Sequence, residues 1–136
     1  MTSAFDQLAT QCHGNWRALL RTRANCIVTA SAPLLDEFCA ASRRVLRAPI
    51  ACLSARTLRD PGRARTVVLT DVHLTTPIEQ RALVSWIDDP QCIDTQAIVL
   101  TPVSLFTLVE AGAFDAHLFY RLNTIHLDLL QASTPR

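Results

Sequence analysis

Asp71 and His73 are the most enzyme-like pair in the sequence, a carboxylate two positions from an imidazole just after the β-branched run TVVLT. An Asp-x-His pair can orient a general base, and α/β sheets bind ligands at the carboxyl ends of their strands. No nucleophile or metal cluster can be set beside the two residues, so a polar pair at a strand end is the leading reading and a cryptic enzyme the alternative. His126 sits between Ile125 and Leu127 and is expected to point out of a strand. Arg56, Arg59, Arg63 and Arg65 are opposed locally only by Asp60 and form a candidate anion or nucleic-acid patch, to which Arg43, Arg44 and Arg47 could add. That stretch carries no aromatics for stacking on bases, and a solvated arginine-rich loop is the plainer account.

Some chemistries are excluded by what is missing. All 13 basic residues are arginine, so no lysine can clamp a phosphate or form a Schiff base. The 3 glycines, Gly14, Gly62 and Gly112, stand too far apart to build a phosphate-cradling loop. The 5 cysteines (Cys12, Cys26, Cys39, Cys52 and Cys92) contain no C-x-x-C pair, and the 4 histidines (His13, His73, His117 and His126) are equally scattered. A zinc site wants closely paired ligands, so no metal and no cofactor is expected. Cys26 and Cys52 fall in apolar runs and read as small hydrophobes.

With 136 residues, 49% of them hydrophobic and 18% charged, the chain can bury a real core as one domain. No apolar run reaches the roughly 18–20 residues needed to cross a bilayer. The start of the chain lacks a signal peptide's basic and apolar regions, so a cytoplasmic location is expected.

The elements that must position these residues are legible in outline. Residues 3–23 read as an amphipathic helix, with Phe5, Leu8, Cys12, Trp16 and Leu19 or Leu20 on one face and Ser3 as its cap. Strands are expected over residues 25–30, 49–53, 66–70, 97–101 and 124–129. Helices are expected over 36–47, 77–87, 102–111 (closed by Gly112) and 114–122. This alternation predicts an α/β fold, a three-layer sandwich around a mostly parallel sheet of about five strands. The domain reading is an N-terminal helix (1–24) packed on the core, one α/β domain (25–130) and a short tail (131–136).

One segment carries a longer pattern. LVEAGAFDAHLFYRLN, residues 108–123, resembles the L-V-x-x-G-x-F-R-x-D-L-Y-Y-R-L-N signature of sigma-54-dependent transcription activators within the AAA+ superfamily. Leu108, Val109, Gly112, Phe114, Leu118, Tyr120, Arg121, Leu122 and Asn123 match it. Upstream, residues 97–101 resemble the family's V-I-A-A-T strand and residues 67–80 its L-F-L-D-E-V-x-x-L-x-x-x-x-Q segment. Residues 27–37 (IVTASAPLLDE) stand where the family has a strand and P-loop. The resemblance, covering about residues 25–129, implies a P-loop NTPase (AAA+-like) core, here without the helical lid subdomain.

The departures bear on chemistry. Aligned without gaps, the P-loop glycines become Ala30, Pro33 and Leu35, and the lysine becomes Asp36. Proline has no N–H for a phosphate, and an aspartate there reverses the electrostatics. The magnesium-binding aspartate becomes Thr70, Asp71 takes the place of the water-polarising glutamate, and Pro102 replaces the sensor asparagine. Asp115 replaces one arginine, leaving Arg121 as a candidate inter-subunit arginine, with an internal ion pair the plainer reading. Phosphoryl transfer rests on positioning and charge stabilisation, so these replacements together predict a domain that neither binds nor hydrolyses ATP.

The family's sigma-54-contacting loop falls between Leu53 and Thr66, where only SARTLRDPGRAR stands, and the sequence ends at Arg136 before any helix-turn-helix. Contact with sigma-54 by that loop and DNA binding by that route are therefore not expected. The expected role is a pseudo-ATPase module in bacterial transcription regulation. It would bind a protein partner, a sigma-54-dependent activator by analogy, or itself.

Overall fold

The apolar runs become five strands in a computed structural model of the chain: β1 (Cys26–Thr29), β2 (Ile50–Ser54), β3 (Thr66–Thr70), β4 (Gln96–Thr101) and β5 (Ile125–Asp128). The structure describes residues 6, 10, 12–57, 64–92 and 94–132, without the side chains of residues 13, 131 and 132. Phe5, Leu8, Ser3, Arg59 and Arg63 therefore lie outside the described residues. The strands form one sheet in the order β2-β3-β4-β1-β5. Every pairing is parallel, with Cys26 beside Ile98 and Ile125, and Val68 beside Cys52 and Ile98. Parallel strands covered on both faces need apolar side chains on both, and β1 and β4 are buried along their whole length.

The two faces have separate cores. Helices α1 (His13–Arg21) and α2 (Ala32–Val45) cover one. There Trp16, Leu19, Leu35 and Phe38 meet Cys26, Val28, Ile98 and Leu127. Trp16 and Phe38 pack edge to face with ring centroids 6.4 Å apart, a favoured aromatic geometry. On the other face lie α3 (Pro77–Ile87), α4 (Leu105–Glu110) and α5 (Ala116–Leu122). Leu83, Leu105, Phe114, Leu118 and Leu122 there meet Ile27, Val67, Leu69 and Val99. A last helical turn, α6 (Leu129–Ala132), follows β5. The expected three-layer α/β sandwich is the fold observed.

Local signals set several boundaries. Thr76 and Glu79 form a reciprocal capping box at the start of α3, with Pro77 in its first position. Gly112, at φ 76°, ends α4 in a conformation that side chains resist, and Ala113 N–H returns to Leu108 O at 2.8 Å. The expected helix over 102–111 begins instead at Leu105, because Ser104 is its cap and accepts from Thr107 N–H. The expected helix over 36–47 begins four residues earlier, at Ala32, with Ser31 before it and Pro33 in its first turn. The tail expected over 131–136 begins within α6, and residues 133–136 lie outside the described ones.

Side-chain amides hold the ends of these elements. Gln96 Nε2 donates to Ala24 O at 2.7 Å and Leu19 O at 3.3 Å, tying the end of α1 to β4. Asn25 donates to Arg121 O and accepts from Ala97 N–H. Asn15 Nδ2 reaches His126 O at 3.0 Å, so α1 satisfies one carbonyl of edge strand β5. Burial pushes the Cys26 thiol far above its usual range, which keeps it neutral at ordinary pH. Cys39 on α2 and Cys52 on β2 bring their sulfurs to 3.9 Å as free thiols, and burial also raises Cys39.

Candidate functional site at the carboxyl edge of the sheet

A parallel sheet with helices on both faces exposes its carboxyl edge, the usual place for a ligand. Across that edge the last residues of the strands are Ser54, Thr70, Thr101, Thr29 and Asp128. Most of these groups are already engaged within the chain. Ser54 Oγ donates to Asp71 Oδ2 at 2.9 Å, and Thr101 Oγ1 donates to Val103 O at 2.8 Å. Thr29 Oγ1 shares a hydrogen bond with His126 Nε2 at 3.0 Å, and Asp128 Oδ1 accepts from Leu130 N–H at 3.0 Å.

The turn from β1 into α2 decides what the edge can hold. Only Ala30 and Ser31 separate Thr29, the end of the strand, from Ala32, the start of the helix. A P-loop needs about eight residues whose backbone N–H groups wrap the phosphates. Here Ala30 N–H is bonded to Thr101 O at 3.2 Å and Leu35 N–H to Ser31 O at 3.0 Å. Pro33 removes another donor from the first turn of α2. Leu35 is buried against the core, and Asp36 lies further along the same helix. Ala30, Pro33, Leu35 and Asp36 thus belong to a tight turn and a helix. The gapless alignment pictured a degenerate loop because it passed over the Ser31-x-Pro33 helix start.

Asp71 occupies the left-handed region at φ 60°, where aspartate is tolerated better than most residues. Its carboxylate clamps β3 to β2 through Ser54, while Thr70 ends β3 beside it. His73 lies in the turn Val72–Leu74, and among the described residues its buried Nδ1 has no hydrogen-bond partner. Asp71 is thus paired with Ser54, and among the described residues no bond joins it to His73. Pro102, half-buried, follows β4 directly.

Arg121 sits elsewhere. Its Nη2 lies 2.7 Å from Asp88 Oδ1, both side chains about half exposed. The pair borders a cleft of about 800 Å3 lined also by Asn25, Trp86 and Tyr120, at the amino ends of the strands. Of the four arginines read as one patch, the two described ones, Arg56 and Arg65, are separated too. Arg56 follows β2 at the carboxyl edge, 4.0 Å from Glu79, whereas Arg65 precedes β3 at the amino edge. Strands of this length put roughly 15 Å between the two ends at about 3.3 Å per residue. The linear spacing could not show this, because β2 and β3 run parallel and their connection must cross from one edge to the other.

Sequence reasoning missed a second feature of the carboxyl edge. Leu74, Ile78, Val103 and Phe106 follow the ends of β3 and β4 and are 52%, 74%, 40% and 48% exposed. Their apolar character was visible, but their exposure depends on which helical face the layers cover. Among the described residues no three His, Cys, Asp or Glu side chains gather to hold a metal. No helix among them is long and apolar enough to cross a membrane.

The fold resembles that of solved structures of NtrX and of the P-loop NTPase domain of a sigma-54 activator. NtrX from Brucella abortus in complex with ADP superposes with a TM-score of 0.67 at 16% identity, over 94% of this chain and 36% of that one. Its complex with ATP gives 0.65 at 15% identity, over 87% and 34%. The P-loop NTPase domain of a sigma-54 transport activator from E. coli gives 0.63 at 17% identity, over 90% and 94%. The chain thus spans about a third of the NtrX chains but nearly all of the E. coli domain. No family model and no curated protein matches the sequence. At such identities the likeness concerns the fold.

Proposed function

We propose that this domain keeps the sigma-54 activator fold without its nucleotide chemistry and works by binding another protein. The observation that carries the reading is the two-residue turn from β1 into α2. It supplies no cradle for phosphates, and the replacements at Thr70 and Pro102 remove the metal ligand and the sensor that the resemblance implies. Catalysis of ATP hydrolysis has no positioned group to start from.

What replaces that chemistry at the same edge is apolar surface. Leu74, Ile78, Val103 and Phe106 flank a place where a ligand-binding relative needs polar groups. Exposed apolar side chains gathered at one edge mark a contact surface more often than scattered ones do. The partner suggested by the fold is a sigma-54-dependent activator, whose ATPase ring this domain would dock on and slow; the setting is then bacterial transcription regulation in the cytoplasm. Self-association through the same edge is the other outcome of the test.

Mixing the full chain with the ATPase domain of a sigma-54 activator is expected to lower its ATP turnover and to give a heavier species by light scattering. Ile78→Asp and Phe106→Asp should each weaken the complex by about tenfold or more, since a hot-spot side chain carries about 2 kcal/mol. Both residues are exposed, so the variants should remain folded. Unchanged turnover and mass at micromolar concentrations of both proteins, with the chain itself monomeric, would contradict the reading.

A further inference from the structure

The amino edge of the sheet, opposite the site just described, gathers arginines that are distant in sequence. Arg23 follows α1, Arg47 follows α2 and Arg65 precedes β3. Together with Asp94 they line one small pocket of about 90 Å3. We propose that Arg23, Arg47 and Arg65 form a binding site for a phosphate group.

The backbone around the pocket is held firmly. Thr66 Oγ1 donates to Arg47 O at 2.8 Å, and Arg65 N–H donates to Pro49 O at 2.8 Å. Gln96 N–H donates to Arg65 O at 2.9 Å, and Thr95 Oγ1 to Ala64 O at 3.3 Å. The roots of Arg47 and Arg65 are thus fixed to the amino ends of β3 and β4, while the guanidinium groups stay free to turn. Arg23 is ion-paired with Asp94, both largely exposed. Among the described residues the guanidinium groups of Arg47 and Arg65 have no ion pair or hydrogen bond.

Three guanidinium groups around one pocket repel each other, and Asp94 offsets only one of the charges. An anion between them relieves that repulsion. The planar guanidinium fork matches the oxygen spacing of phosphate and can donate to it in pairs. Room is also selective. At about 30 Å3 per water in the liquid, the pocket holds roughly three waters. That suits one tetrahedral oxyanion. The phosphate therefore enters as a head group, with whatever carries it lying outside. Arg43 and Arg44, in the last turn of α2, and Arg56, beside Glu79, do not line the pocket. The site is open to solvent, so binding is weak and salt-sensitive.

Inorganic phosphate titrated into the full chain at low ionic strength, followed by amide shifts, should bind saturably with a millimolar Kd. The Arg47→Gln/Arg65→Gln variant should weaken it by about tenfold or more, the scale of a lost charge-assisted hydrogen bond. An Arg43→Gln/Arg44→Gln variant removes the same charge from outside the pocket and should leave binding nearly unchanged. Asp94→Asn, which removes the opposing carboxylate, should tighten it severalfold, a gain that misfolding cannot imitate. A labelled single-stranded oligonucleotide provides the second arm. Tighter binding than phosphate, falling steeply with salt, assigns the phosphate to a nucleic-acid backbone; no such gain assigns it to a free phosphoanion. Absence of saturable binding to wild type, or equal loss in the Arg43/Arg44 control, would overturn the site.

Discussion

Phe38→Ala is expected to lower the unfolding midpoint by about 15 °C, the larger of the two stability effects anticipated. Phe38 is 1% exposed and lies at the centre of the core between α2 and the sheet. It also holds α1 in place through its edge-to-face contact with Trp16. Removing a buried phenyl ring costs about 3–5 kcal/mol, because the transfer free energy is lost and a cavity is left. At this chain length each kcal/mol moves the midpoint by roughly 3–5 °C. Thermal unfolding followed by circular dichroism checks the value. A fall of only a few degrees would mean that α1 and α2 collapse readily into the space, and that this face is packed less tightly than described.

Gln80→Leu is expected to cost about 3 kcal/mol although it nearly preserves volume, since each buried group left unpaired costs about 1–3 kcal/mol. Gln80 is 4% exposed and uses both ends of its amide. Nε2 donates to Thr75 O at 3.0 Å and Ala113 O at 3.3 Å, and Oε1 accepts from Asp115 N–H at 2.8 Å. These bonds join the turn after β3 to the segment that leads into α5, where Asp115 caps the helix by accepting from Leu118 N–H. Leucine fills the space, orphans the carbonyl of buried Thr75 and takes the side-chain partner from Ala113 O and Asp115 N–H. Denaturant unfolding of the variant beside wild type measures the difference. A near-neutral result would show that water reaches these groups.

Much of the fold could be read from the sequence because its determinants are local. The β-branched runs gave all five strands within a residue or so of their observed ends, since short apolar runs between turn signals have few alternatives. Pro77 and Gly112 marked helix ends through their own backbone restrictions. The start expected for α2 at residue 36 came four residues late because the signals just before it were passed over. Ser31 and Pro33 are ordinary helix-start signals, and they show that the strand passes into a helix with almost no loop.

The site was legible in part. Thr70 ends β3, Asp71 comes directly after it and Pro102 directly after β4. The Ser54–Asp71 bond was not readable, because it spans two strands, and nor was the burial of Gln80 between three backbone partners. Arg23 and Asp94, 71 positions apart, meet only because α1 ends and β4 begins at the same edge. Charge clustering along the chain pointed instead to Arg56 and Arg65, which parallel strands hold apart.

The central claim is that the carboxyl edge holds no nucleotide. Calorimetric titration of MgATP into the Arg47→Gln/Arg65→Gln variant tests it most directly, because heat from the amino-edge pocket is then suppressed. The ATP-bound class of NtrX supplies the positive control. The account predicts no saturable heat for this chain under conditions in which the control binds. Saturable one-to-one binding at micromolar concentrations would mean that the short turn after β1 still accommodates the phosphates, and would contradict it.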